Sequence, residues 1–134
     1  MRKLTRLIGS ILFILHGLIH MMGTATYLRL AEIEGLAYKT TLLAGRWEVG
    51  QGGMVVFGFL WAIAGLGFTA AGVIWLSGKS FPRVLIMGIA SLSLLLTLLD
   101  VESAYAGAAI SGILLVLALA APWFRTIFRQ PSAQ

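Results

Sequence analysis

The 134-residue chain has no cysteine, which excludes disulfides, thiolate metal sites and cysteine nucleophiles, and leaves the redox compartment unread. Charge is also scarce. Asp, Glu, Lys and Arg make up 11% of the residues, with only five acids among them. No Ser, His and Asp arrangement, phosphate loop or dinucleotide fingerprint occurs, since the glycines at 50, 52 and 53 lack the required strand, helix and lysine context. The zincin glutamate is missing as well, because Gly17 follows the first histidine.

What is present is apolar. Hydrophobic residues account for 59% and the mean hydropathy is +0.94, so bilayer rather than water is the expected solvent. The net charge of +5 and pI near 10.3 do not point to nucleic acid, because the basic residues lie between apolar runs. There they read as topology signals and lipid headgroup contacts.

About 20 apolar residues are needed to cross the hydrocarbon core. Residues 7–28, 54–76, 84–99 and 105–123 qualify or nearly so, within one integral membrane domain covering 1–134. The tight turns at 77–83 and 100–104 impose antiparallel neighbours. The expected fold is all-α, a four-transmembrane-helix antiparallel bundle with one long outer loop, 29–53. In that loop, residues 30–35 read as a short interfacial helix and 38–49 as a small β-hairpin around Ala44 and Gly45.

Orientation follows from the basic residues. Arg2, Lys3, Arg6, Lys79, Arg83, Arg125 and Arg129 fall on one side; Arg29, Lys39 and Arg46 fall on the other with all five acids. The first side is therefore cytoplasmic, with both termini, in a multi-pass protein of the cell membrane. Trp47, Trp75, Trp123 and Tyr105 lie near span ends, as interfacial rings do. Gly23, Thr24 and Ala25 resemble a signal cleavage site, but the apolar run is long for a signal core of about 7 to 15 residues.

Helices in lipid associate through small residues and polar contacts. Gly58, Gly65 and Gly72 recur every seventh residue, and Gly107, Ala108, Ser111 and Gly112 form a comparable strip in the last span. Both read as packing surfaces.

The candidate chemistry is in the first and third spans. His16 and His20 are four residues apart, so they share a helix face with Cβ atoms about 6 Å apart, and Thr24 and Tyr27 continue that face outward. Ionisable residues inside a span usually face the bundle interior, which makes function the default reading. Ser93, Thr97 and Asp100 make a second polar stripe, whose depth predicts that Asp100 faces His20. Glu48 precedes the second span, and Trp61 supplies an aromatic wall at comparable depth.

The segments His-Gly-Leu-Ile-His (16–20), Thr-Thr-Leu-Leu-Ala-Gly-Arg-Trp-Glu-Val-Gly (40–50) and Ala-Tyr-Ala-Gly-Ala (104–108) resemble a group of small uncharacterised four-helix bacterial membrane proteins. The architecture is also similar in outline to DoxX-type proteins. The resemblance implies four spans in a bacterial inner membrane, and for some DoxX-type members a quinone-linked role.

Three functional classes follow. In the first, an outward-facing pocket lined by His16, His20, Trp61, Asp100 and Glu48, flanked by Tyr27 and Thr97, binds or moves a small apolar or amphipathic ligand of lipid or quinone type. In the second, His16 and His20 serve a membrane enzyme or redox subunit as metal ligands or proton carriers. In the third, the chain is an accessory subunit whose glycine strips pack against a second copy or a larger membrane partner. No catalytic residue or cofactor is named by the sequence.

Overall fold

The structure, a computed structural model, describes residues 2–79 and 82–127. It is all-helical apart from one hairpin. Helix α1 is Arg2–Tyr27, α2 is Gly50–Leu76, α3 is Arg83–Leu99 and α4 is Val101–Ile127; strands β1 (Thr41–Leu42) and β2 (Trp47–Glu48) lie between α1 and α2. Among the described residues, two helices, over Lys3–Tyr27 and Gly50–Leu76, are long and apolar enough to cross a membrane. Arg83–Leu99 and Val101–Leu117 are shorter apolar helices. Ala104 is non-helical inside α4, so the straight part of that helix starts near 105, as the sequence suggests. The side chains of Trp123 and Arg125, and all of Arg129, lie outside the described residues.

Glycine sets the closest approach. A Cβ on Gly17 would lie 2.6 Å from the carbonyl oxygen of Gly65, and one on Gly65 would lie 2.9 Å from that of Gly17. Gly9 faces Trp75, Gly23 faces Trp61, Gly58 faces Leu28 and Gly72 faces Ser10 and Ile14. Position numbers rise on one helix as they fall on the other, so α1 and α2 are antiparallel and both contribute small residues to the seam. The glycine stripe of α2 is therefore matched by α1. Gly88 and Gly112, by contrast, have nothing within 4 Å of the added Cβ.

Helices α3 and α4 also pair antiparallel, through Ser93 with Ser111 and Arg83 with the carbonyl of Leu119. Across the centre, His20 meets Ser93 and Tyr27 meets Asp100, both with a separation of 73 residues. A constant separation means that α1 and α3 run parallel, which places the helices up, down, up and down.

The connection between α1 and α2 starts with an unusual helix end. Leu30 N–H bonds back to Ala25 and Arg29 N–H to Thr26, a Schellman motif with Arg29 at φ 58° where glycine is usual. An Ile33–Leu36 bridge with Gly35 at φ 79° follows, so the interfacial helix expected at 30–35 is a tight turn. The left-handed Gly35 stops helix propagation there. The hairpin does form, pairing Thr41 with Glu48 and Leu42 with Trp47, and Leu43 N–H ties it to Leu99 at 2.7 Å.

The exterior is apolar: Leu12, Val56, Leu66, Leu95, Ile113 and Val116 are each more than half exposed. The interior is mixed, with Ser10, His16, His20, Ser93, Thr97, Asp100 and Ser111 buried alongside an apolar core that includes Tyr27, Met54, Phe57, Trp61 and Leu96.

Candidate functional site

Four side chains from three helices meet in the bundle interior. His20 Nδ1 lies 3.0 Å from the carbonyl oxygen of His16, one turn earlier on α1. His20 Nε2 lies 2.7 Å from Ser93 Oγ on α3. Ser93 Oγ lies 2.6 Å from Ser111 Oγ on α4, and Ser111 Oγ lies 3.3 Å from His16 Nε2. A longer contact of 3.5 Å joins Ser93 Oγ to His16 Nε2. The result is a closed polar ring in an apolar surround.

The aromatic wall is on α2. Trp61 has its ring centroid 4.9 Å from that of His20, and Phe68 sits 4.7 Å from His16, edge to face. Gly17 and Gly23 let α2 come close enough for these rings to cover the imidazoles. Among the described residues, two buried side-chain nitrogens have no hydrogen-bond partner, His16 Nδ1 and Trp61 Nε1.

Asp100 is elsewhere engaged. Its carboxylate accepts from the Tyr27 hydroxyl and lies 2.6 Å from Lys39 Nζ, which comes in from the outer loop. Lys39 also reaches Ser103 Oγ at 3.2 Å and Glu102 at 3.6 Å. The facing pair of His20 and Asp100 expected from depth is thus replaced by two separate sets, His20 with Ser93 and Asp100 with Tyr27 and Lys39. Depth along a helix does not specify its rotation, and Tyr27, two turns beyond His20, takes the carboxylate.

The remaining candidates divide. Thr97 is buried, but its hydroxyl donates to Ser93 and Leu94 carbonyls of its own helix, at 2.8 and 3.1 Å. Glu48 is exposed on β2, where it accepts from Gly50 N–H at 2.9 Å and offsets the positive end of α2. It takes no part in the ring. Ser111 and Lys39 belong to these sets and were not among the sequence candidates.

For a metal, the donor set is thin. Both nitrogens of His20 are bonded within the protein, and no group of three His, Cys, Asp or Glu occurs among the described residues. A cavity of about 900 Å³ lies beside the α1–α2 connection, lined by Thr26, Arg29, Glu32, Tyr38 and apolar loop residues, with the Arg29 guanidinium 4.3 Å over the Tyr38 ring. The histidines do not line it. Comparison with known proteins gives no match to a family model, a curated protein or a solved structure.

Proposed function

We propose that the chain is a four-span integral membrane protein, with both termini cytoplasmic and the hairpin outside, whose histidine pair takes up and releases a proton inside the bilayer. The apolar exterior supports the membrane reading. In water, an apolar exterior over four helices would associate, whereas in lipid it is the ordinary boundary. The short α3 fits because the outer loop and Asp100 supply its outer end at headgroup level.

The observation that carries the proton reading is the hydrogen-bonded ring of His16, Ser111, Ser93 and His20. Serine hydroxyls between imidazoles donate and accept at once, so such a ring is suited to exchanging protons as well as to packing. Solid-state NMR of ¹⁵N-histidine-labelled protein in lipid nanodiscs tests it across the pH range in which the fold persists. At least one imidazole should change charge state. If both remain neutral in fixed tautomers throughout, the ring only packs.

The outer cavity favours a second reading. Its lining combines Arg29 and Glu32 with Leu30, Ile33 and Leu36, which suits an amphipathic molecule at interfacial depth.

A further inference from the structure

Building on the proton-exchange reading, we infer that the ring is a directional relay that carries a proton from His16 to His20 through the hydroxyls of Ser111 and Ser93. The direction follows from one fixed donor. A backbone carbonyl only accepts, so the His20 Nδ1 facing the His16 carbonyl at 3.0 Å must carry a hydrogen. In neutral His20, Nε2 is then an acceptor, and Ser93 donates to it at 2.7 Å. Having spent its hydrogen, Ser93 must accept from Ser111 across 2.6 Å. Ser111 in turn accepts from His16 Nε2–H at 3.3 Å.

Each contact in the ring thus holds one hydrogen, and all point the same way. The opposite His16 tautomer would leave Ser111 one hydrogen for two acceptors, so either its 3.3 Å contact with His16 Nε2 or its 2.6 Å contact with Ser93 Oγ would hold two opposed lone pairs. Neutral His16 is therefore protonated on Nε2. Its Nδ1, buried and without a partner, is the basic lone pair left in the ring.

A proton delivered from hydronium to His16 Nδ1 has a defined course. The Nδ1–H bond forms and His16 Nε2 releases its hydrogen to Ser111 Oγ. Ser111 passes its own hydrogen to Ser93 Oγ, and Ser93 passes its own to His20 Nε2. One proton has entered, His20 is the imidazolium, His16 is neutral with hydrogen on Nδ1, and every hydroxyl has reversed. No other titratable group faces the pair among the described residues. Helix α2 presents Trp61 and Phe68, α3 presents Ser93, and α4 presents Ser111. Tyr27, Asp100 and Lys39 bond with one another farther out.

The same labelled protein in nanodiscs gives the test, read as the nitrogen carrying hydrogen in each histidine. The neutral form should show opposite tautomers, Nε2–H on His16 and Nδ1–H on His20. On proton uptake the charge should appear on His20 while His16 switches to Nδ1–H. Ser93→Ala, which removes the hydroxyl that every route to His20 Nε2 passes through, should abolish the switch and leave the charge on His16; Ser111→Ala should weaken it, because only the longer 3.5 Å contact from His16 Nε2 to Ser93 Oγ then remains. Ser111→Thr, which keeps the hydroxyl, should restore it. If Ser111→Ala and Ser93→Ala leave the wild-type switch unchanged, the relay is wrong while proton exchange stands. If neither histidine changes charge in any form, both are wrong.

Discussion

Ser93 and His20 are 73 residues apart in the chain and share a 2.7 Å hydrogen bond in its interior. Seven residues farther along both helices, Asp100 and Tyr27 repeat the same separation. The two bonds lock α1 and α3 in parallel register, although no loop connects those helices directly. Removing Ser93 therefore disturbs more than one residue.

Ser93→Ala should destabilise the protein by about 1 to 3 kcal/mol, because His20 Nε2 and Ser111 Oγ lose their partner at a buried site. Unfolding by sodium dodecyl sulfate in mixed micelles measures this. A change below about 0.5 kcal/mol would mean that the ring re-pairs without cost.

Lys39→Met leaves the fully buried Asp100 carboxylate without its cation. Breaking a buried pair from one side costs on the order of 3 to 5 kcal/mol, whereas replacing both partners is far milder. The double variant Lys39→Met with Asp100→Asn should recover much of the loss. Additive losses in that double-mutant cycle would show that the two side chains do not interact.

Gly17→Ala places a methyl group 2.3 Å from Thr69 Oγ1 and 2.6 Å from the Gly65 carbonyl. Since backbone atoms cannot turn aside, α1 and α2 must separate, and the cost should exceed the usual overpacking penalty of about 1 to 3 kcal/mol. Gly88→Ala has open space and should stabilise α3 by about 0.5 to 1 kcal/mol. Equal effects at the two positions would be inconsistent with the seam described above.

Ala44 adopts φ 55° in the hairpin turn, directly before Gly45 at φ 81°. Ala44→Asn creates the Asn-Gly pair that tolerates two left-handed residues and should raise stability by about 0.5 to 1 kcal/mol. Thermal unfolding in detergent reports the sign, and a lower midpoint would count against the turn geometry.

Because no native cysteine gives background, Arg46→Cys and Lys79→Cys can each be labelled alone in intact cells. Both positions are exposed. An impermeant thiol reagent should reach position 46 from outside and position 79 only after the membrane is opened. The reverse pattern would invert the proposed orientation.

Much of this arrangement was legible in the residues themselves. Apolar run length located the helices within a few positions, Ala44-Gly45 marked the hairpin, and the i, i+4 spacing put His16 and His20 on one buried face. Partner choice was not legible, because it depends on how far each helix is rotated. Ser111 was read as one more small residue in a strip with Gly107 and Gly112, yet it is the sole Ser or Thr in 105–123, and that isolation was the available signal. Lys39 enters the sequence reading only as one of the basic residues that set orientation. Its long stem lets it cross to Asp100 from a distant point in the chain, and no local pattern encodes that reach.

The ring spans almost the whole order of synthesis, since His16 meets Ser111, 95 residues later. The glycine seam lets α1 and α2 close on each other as soon as both have been made. The imidazoles, however, have no hydroxyl partners until α3 and α4 arrive. On the four-span reading proposed above, the first hairpin would hold two imidazoles without their hydroxyl partners during biogenesis, and release into lipid would be most favourable only after the fourth helix has been made. On that reading, completion of α4 would double as the assembly checkpoint for a polar centre anchored on α1.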